Sequence, residues 1–215
     1  MPPRAGSPPP ERTRDRERTR AEILAVATQE FSEHGYSGAR VDEIAERTRT
    51  TKRMLYYYFE SKEGLYAEVL KDAYAAIRRK EQSIDVDHLD PVAAIRRIAE
   101  LTFDHHESHP DFIRLVAIEN IHRAEHLAEL PDVRELGSPA IELIDAILTR
   151  GREAGTITRP VDALDVHMVI SSFCVFRIAN RHTFRTLFGR DLVDPDRRDG
   201  YRQMLGDLVV GYLTH

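Results

Sequence analysis

Two short helical segments joined by a three-residue turn constrain the fold of this chain more than any other feature. Apolar residues at helical spacing predict a helix over about 41–47, and the turn at 48–50 follows it. Thr51 is well placed to cap a second helix over about 52–58. When the second helix of such a pair is polar and basic, it can enter the major groove of DNA, which is about 12 Å wide. The segment therefore predicts a helix-turn-helix.

Helical spacing also describes the rest of the chain, and convincing alternating strands are absent. Residues 1–17 are rich in Pro and Arg and are expected to be a disordered tail. The sequence thus predicts an all-α fold, with a three-helix head over 18–62 and a bundle-like body over 63–215. The first helix is expected to stop at Gly35, and the other candidate helices cover about 62–82, 90–108, 110–130, 133 or 139–153, 161–188 and 195–213.

Charge is distributed unevenly between the head and the body. The whole chain has a net charge of −5, but residues 1–62 carry twelve Lys and Arg against ten Asp and Glu. Residues 63–215 carry nineteen basic and twenty-six acidic residues. A basic head on an acidic body is compatible with DNA binding, because only the head has to meet phosphate.

The composition argues against several other classes of protein. No window approaches eighteen consecutive apolar residues, so no membrane partner is expected. The N-terminus lacks the apolar core of a signal peptide, and the single Cys174 is expected to be a buried packing residue, which together fit the cytoplasm. No Ser-His-Asp motif, phosphate-binding Gly loop or nucleophile turn is present. We therefore expect no enzyme activity, no catalytic residue and no cofactor.

The candidate reading helix separates into a core face and an outward face. Leu55 and Phe59 lie four residues apart and are expected to face the core. Arg and Lys can donate to guanine or to phosphates, Tyr hydroxyls reach phosphates, and Tyr rings pack on thymine methyl groups. The positions left to make such contacts are Lys52, Arg53, Tyr56 and Tyr57. The Arg-rich stretch 12–20 could also reach a minor groove or a phosphate, although the negative charges of Glu11, Asp15 and Glu17 partly cancel its positive charge.

Four short elements stand in a specific order within the first seventy residues. They are Phe31-x-x-x-Gly35, Val41-x-x-Ile44-Ala45, Leu55-Tyr56-Tyr57-Tyr58-Phe59 and Ser61-Lys62-Glu63-x-Leu65, about a fifth of the chain. In this order and spacing they resemble the TetR family, and residues 103–123 more loosely resemble the body of its RutR-like subgroup. The resemblance implies that Lys52, Arg53 and Tyr56 touch bases. It also implies that Tyr57, Tyr58 and Lys62 touch phosphates.

Three departures from the family pattern add positive charge beside the expected DNA. The turn is Thr48-Arg49-Thr50 where the family usually has Ala-Gly-Val, and a positive φ at Arg49 would cost roughly 1 kcal/mol or more. Arg40 replaces a frequent Ser or Thr, and Arg53 replaces a frequent Gly. These changes predict altered operator contacts. The expected DNA-binding set is Arg40, Arg49, Thr51, Lys52, Arg53, Tyr56, Tyr57, Tyr58 and Lys62.

The resemblance also implies how such a protein works. Family members form homodimers through their last two long helices, here about 161–188 and 196–213, and a two-fold dimer matches a palindromic operator on double-stranded DNA. The regulator is usually a repressor. A small-molecule effector entering the body weakens DNA binding, and the coupling between ligand and DNA is reciprocal. Residues 63–215 are then the ligand-binding and dimerisation domain.

Three helices of the body are expected to surround one effector site. Apolar rings would form its walls, and a few polar groups would give specificity. The alternative is that the same residues fill an ordinary helical core. The expected lining is Phe103, His106, Phe112, Leu115, Glu119, His122, Met168, Ser172 and Phe176.

Two further hypotheses concern the body. A regulator controlled by a protein partner would have a filled body and an exposed apolar patch. A helical metalloenzyme could use Glu119, His122 and His126, which are spaced three and four apart, although polar surface or hydrogen-bonded core groups explain them more simply. No metal is expected.

Overall fold

A computed structural model describes residues 10–82, 86, 88–131 and 133–215, apart from the side chains of 10–13, 81–82, 135–136 and 138. Over these residues the chain is helical and contains no strand, which confirms the all-α prediction. The chain divides into two compact units, which meet in sequence between Leu70 and Lys71. This division lies inside a helix, eight residues beyond the predicted boundary at 62.

The N-terminal unit is built from four helices. They are α1 (Pro10–Gly38), α2 (Val41–Arg47), α3 (Lys52–Phe59) and α4 (Lys62–Gln82), of which the last continues into the second unit. Helix α1 has a non-helical residue at Gly35, whose φ of 69° a glycine adopts without strain. The ends of α3 and α4 are marked by side chains, because the Thr51 hydroxyl accepts from Met54 N at 3.2 Å and the Ser61 hydroxyl accepts from Gly64 N at 3.0 Å. The core of the unit contains Ile23, Ala27, Phe31, Ile44, Leu55, Phe59, Leu65 and Tyr66.

The C-terminal unit is a bundle centred on one helix. The helices after α4 are α5 (Pro91–Ser108), α6 (Pro110–Ile121), α7 (Glu125–Ala128), α8 (Ser138–Glu153), α9 (Ala163–Ala179), α10 (Arg181–Phe188) and α11 (Arg198–Thr214). Helix α5 packs against α8, α9 and α11, and their apolar faces form the main core. Two short 3₁₀ segments, Val133–Leu136 and Pro195–Arg197, precede α8 and α11.

Three predicted boundaries were wrong. Helix α1 begins at Pro10, so residues 10–17 of the expected disordered tail are helical, while residues 1–9 lie outside the described part. Helix α6 ends at Ile121 instead of near 130, because Arg123 and Ala124 both have a φ of 59° and turn the chain. The helix expected over 161–188 is two helices, α9 and α10, bent by 68° around Asn180. Neither Gly nor Pro marks the end of α6 or the bend between α9 and α10.

A buried arginine ties several parts of the body together. Arg177 is 3% exposed, and its guanidinium lies 4.0 Å from the centroid of the Phe103 ring. It donates to the Leu192 carbonyl at 2.9 and 3.2 Å and to the Glu107 carboxylate at 3.0 Å. Glu107 also accepts from Arg198 at 2.6 Å. This network joins α5, α9, α11 and the loop before α11 through charge-assisted hydrogen bonds.

Candidate functional site

Helix α3 presents the face that the sequence predicts for reading DNA. Leu55 and Phe59 are buried, as expected, while Lys52, Arg53 and Tyr56 are exposed. Tyr57 is 61% exposed and points away from the core. Tyr58 is half-buried, with its ring packed between the neighbouring rings on α3. Two cations and two tyrosines thus form one outward surface of α3. The major groove of DNA is wide enough to admit a helix of this kind.

The turn before α3 holds the strained residue that the sequence predicts. Arg49 has a φ of 51°, a conformation that costs a non-glycine residue about 1–2 kcal/mol. The turn is held by Thr50 N, which donates to Ala45 O at 2.9 Å, and by the buried Thr48 hydroxyl, which donates to Ile44 O at 2.7 Å. These bonds hold the turn in this conformation, and the Arg49 side chain is exposed.

A glutamate that the sequence analysis missed caps helix α2. Arg40 stands where a capping Ser or Thr is usual, and its own side chain makes no capping bond. The buried Glu30 carboxylate of α1 accepts from Arg40 N at 3.0 Å and lies 3.6 Å from the guanidinium of Arg47. Negative charge at a helix N-terminus is stabilising, so Glu30 performs the capping role. Ten residues separate it from the helix start, and no local pattern could have identified it.

Three of the predicted DNA-binding cations already have partners within the head, and one of them, Arg40, pairs with Glu43 at 3.4 Å. The Lys62 ammonium donates to Ala39 O at 2.7 Å and lies 4.9 Å from the Tyr36 ring. Lys52 forms an exposed ion pair with Asp42 at 3.3 Å. Arg53 has no carboxylate within ion-pair distance among the side chains described. Lys62 therefore joins the start of α4 to the α1–α2 connection, and one of its three donors is used there.

A tyrosine–glutamate hydrogen bond lies beside Lys62. The Tyr36 hydroxyl donates to the Glu63 carboxylate, and this bond is the main reason that the pKa of Glu63 is lowered to about 2. Burial, followed by the same bond, raises the pKa of Tyr36 to about 12. Glu63 is thus ionised at neutral pH at the N-terminus of α4, where a negative charge is favourable.

Comparison with known proteins places the chain in a family. The model described as "Bacterial regulatory proteins, tetR family" matches residues 23–69. The model described as "Tetracyclin repressor-like, C-terminal domain" matches residues 91–209. The chain belongs to the TetR family. Its α2–turn–α3 segment is therefore the helix-turn-helix of a DNA-binding transcription regulator, which confirms the prediction.

Individual relatives match this chain over different lengths. The transcriptional repressor NicS of Pseudomonas putida is 31% identical over 199 residues, which are 93% of this chain and 94% of NicS. The regulator RutR of Escherichia coli is 34% identical over 97 residues, or 45% of each chain. The crystal structure of the regulator SCO4942 from Streptomyces coelicolor is 28% identical, with a TM-score of 0.68 over 90% of this chain and 97% of that one.

The structure does not bring all of the expected effector-site residues together. Phe103, His106, Phe112, Leu115 and Glu119 are buried in the body. His122 is exposed just beyond the end of α6, and three residues of α9, Met168, Ser172 and Phe176, also lie on an exposed face. Met168 is 60% exposed and Phe176 is 49% exposed. Helix α9 instead turns Val166, Ile170, Cys174 and Arg177 inward. The predicted common lining by α5, α6 and α9 was therefore wrong for His122, Met168, Ser172 and Phe176.

Two cavities in the described part of the body are candidates for an effector site. One has a volume of about 240 Å³ and is lined by Tyr74, Arg78, Leu127, Val133, Arg134, Gly137 and His167. Two of its lining residues contact predicted site residues, since the Tyr74 ring lies 5.2 Å from that of Phe112 and Leu127 N donates to Glu119 at 3.0 Å. The other has a volume of about 430 Å³, between α6, the α9–α10 bend and the start of α11. Its arginines form ion pairs with Asp111, Asp191, Glu107 and Asp104.

One imidazole, that of His167, lines the smaller cavity, and the buried rings of His105 and His106 lie 6.3 and 5.6 Å from the ring of Phe112. Burial is the main cause that lowers the pKa of His105 to about 4 and of His106 to about 3, and it also lowers the pKa of His167. The charge of Arg78 contributes to all three shifts. His106 Nδ1 lies 2.9 Å from Thr102 O, which leaves Nε2 as an acceptor. Clefts with such shifted groups are candidates for functional sites.

The residues considered for metal binding do not form a cluster. Helix α6 ends before His122, so Glu119 and His122 do not continue on one helical face with His126. Glu119 lies 3.3 Å from His126 Nδ1, and no group of three metal-ligating side chains occurs in the part of the chain that the structure describes. Cys174 is buried, and burial raises the pKa of its thiol to about 12, as fits a packing residue.

No single helix among the described residues has both the length and the apolar composition needed to cross a membrane. Helices α9 and α10 meet that test only as a pair, across their 68° bend.

Proposed function

We propose that this TetR-family regulator is a cytoplasmic repressor that binds a palindromic operator as a homodimer and is released by a small-molecule effector. The observation that carries the proposal is the outward face of α3, where Lys52, Arg53, Tyr56 and Tyr57 are exposed on a helix anchored by Leu55 and Phe59. The named repressor NicS, which is similar over nearly the whole chain, supports repression as the direction of control. Operator binding is tested by selecting bound duplexes from a random pool of sequences. The selected sequences are expected to contain an inverted repeat.

The effector is proposed to occupy the cavity of about 240 Å³ near α4. Its lining combines apolar side chains with a tyrosine hydroxyl, guanidinium groups and an imidazole, which suits a small ligand with one apolar part and one hydrogen-bond-accepting or anionic head. Burial is the main cause that raises the pKa of Tyr74 and lowers the pKa of His167. Two polar side chains that line this cavity are thus shielded from water, which favours it as the effector site.

Adjacent arginines on α4 give a matched test of the effector site. Arg78 lines the cavity, whereas the exposed Arg79 pairs with Asp72 at 3.4 Å. After a ligand has been found by screening for operator release, Arg78→Gln is expected to raise the concentration needed for release by about 10- to 100-fold, because a hydrogen bond to a charged group is lost. Arg79→Gln should leave that concentration within about twofold.

A third variant distinguishes the two cavities. Arg114→Gln alters the larger cavity without touching the smaller one. Fluorescence anisotropy of labelled operator, titrated with ligand, measures all three variants at equal salt. If Arg114→Gln shifts release and Arg78→Gln does not, the effector occupies the larger cavity and the assignment above is wrong.

The homodimer is proposed to form through α9 and α11. Both helices carry large apolar side chains that the single chain leaves exposed, and an apolar patch of this kind marks an interface. The family resemblance favours a second copy as its occupant, although the same patch is what a regulator controlled by a protein partner would need. The residues are Leu164, Met168 and Phe176 on α9 and Met204, Leu208 and Tyr212 on α11.

A single charge on this surface is expected to separate the protomers. Leu208 is 54% exposed in the monomer, so Leu208→Glu leaves the core intact, but it would bury an unpaired carboxylate in a dimer. The dimer dissociation constant is expected to rise by at least about 100-fold, with a parallel loss of operator affinity. Sedimentation velocity provides the measurement. Ile121→Glu, at a position that is 76% exposed on α6, is the control and should remain dimeric.

A further inference from the structure

Helix α1 extends well beyond the part that the core requires. It begins at Pro10, although its first buried apolar residue is Ile23. Residues 14–18 are all exposed, so packing does not explain a helix there. The extension carries Arg at five positions between 12 and 20, against two acidic residues, Asp15 and Glu17. A charged helical segment that buries nothing is available for a partner of opposite charge.

The arginines of the extension differ in whether their charge is balanced. Arg18 pairs with Asp15 at 3.3 Å, and Arg20 pairs with Glu68 of α4. Arg14 and Arg16 have no carboxylate within ion-pair distance among the side chains that the structure describes. Among the described side chains, the positive charges of Arg14 and Arg16 are therefore less neutralised than those of Arg18 and Arg20.

Arg16 is held against the reading helix. Its guanidinium lies 5.5 Å from the centroid of the Tyr57 ring, on the outward face of α3. One turn later, the Arg20 guanidinium lies 5.3 Å from the Phe59 ring centroid. The two arginines are four residues apart, and their contacts with the Tyr57 and Phe59 rings align the extension with α3. A guanidinium stacked on an aromatic ring keeps the N–H groups at its edge free for a second interaction.

We infer that the extension over residues 12–20 is a second DNA-contacting element, in which Arg16 binds a backbone phosphate beside the groove that α3 enters. The inference rests on the proposed operator binding. Tyr57 faces the same way as the cations of α3, so the stacked Arg16 lies at the edge of the reading surface. A guanidinium pairs with phosphate through two parallel hydrogen bonds, and such a contact positions the protein without reading bases.

Two arginines of the same segment provide the test. Arg16→Gln and Arg18→Gln change the net charge equally, but only Arg16 touches α3. The full chain is titrated onto its selected operator and onto an unrelated duplex between about 50 and 300 mM salt. Arg16→Gln is expected to reduce the slope of log K against log salt by about 1 and to weaken both duplexes by about 5- to 20-fold near 150 mM salt. Arg18→Gln should leave the slope unchanged.

The alternative outcomes are distinct. Equal effects of the two variants would show that only the net charge of the segment matters, which overturns the inference. A loss confined to the operator would assign Arg16 to base reading and overturn the phosphate contact. Arg16→Lys keeps the charge and should restore most of the slope, whereas failure to do so would indicate a structural role. If the wild-type chain binds no duplex at all, the proposed function fails instead.

Discussion

Replacing both Lys52 and Arg53 by alanine is expected to reduce operator affinity by about 30-fold to 10⁴-fold. Each residue is worth about 1–3 kcal/mol if it contacts a base, and the expected range is the sum of the two contributions taken as independent. Both side chains are exposed, and the ion pair of Lys52 with Asp42 lies at the surface, so the head should keep its stability within about 1 kcal/mol. The effect therefore reports on DNA contact.

The measurement is fluorescence anisotropy of labelled operator at one fixed salt concentration. The Arg79→Ala/Lys80→Ala double variant removes the same charge from exposed positions on α4 and serves as the control. It should change affinity by less than about threefold, through long-range electrostatics alone. An unchanged affinity of the Lys52/Arg53 variant, with its helical content intact, would exclude α3 as the reading helix.

Arg177→Ala is expected to destabilise the body by about 3–5 kcal/mol. The guanidinium is buried, donates to the Leu192 carbonyl and the Glu107 carboxylate, and covers the Phe103 ring. Its removal leaves a buried carbonyl without these donors and opens a cavity, and losing one partner of a buried ion pair costs several kcal/mol. Because Arg198 still pairs with Glu107 in this variant, the carboxylate is not left alone, and the loss of stability is expected in the lower half of this range.

Urea unfolding followed by circular dichroism measures this change. Arg181→Ala, four residues later, removes a partly exposed arginine that pairs with Asp191 at 3.4 Å, and it should cost less than about 1 kcal/mol. Equal effects of the two substitutions would mean that the buried network contributes no more than a surface pair.

The helices of the head could be predicted because side chains mark their ends. Thr51 and Ser61 accept the hydrogen bonds expected of caps, and the Asp90 carboxylate does the same for α5 at 3.0 and 3.1 Å. The spacing of Leu55 and Phe59 identified the core face of α3, so the outward face followed by elimination. These features depend on residues close together in sequence, which is why a single sequence reveals them.

The effector region could not be predicted as well, because it depends on long-range packing. Helix α9 is apolar on more than one side, and spacing alone does not decide whether Met168 and Phe176 or Ile170 and Cys174 face the core. Exposed apolar positions and buried ones look alike in such a helix. Residues such as Arg78 and Arg134 line the smaller cavity from different elements. They share no pattern in the sequence, so the sequence analysis did not identify them.

Arg49 in its left-handed turn has opposite expected effects on the stability of the fold and on the affinity for DNA. Glycine at this position would relieve about 1 kcal/mol of backbone strain, and it would also delete a cation beside the reading helix. A lineage under pressure for thermal robustness would thus tend to lose arginine here, while one under pressure for tight repression would keep it. Under the proposed operator binding, a single codon change at position 49 would trade stability of the fold against control of the target genes.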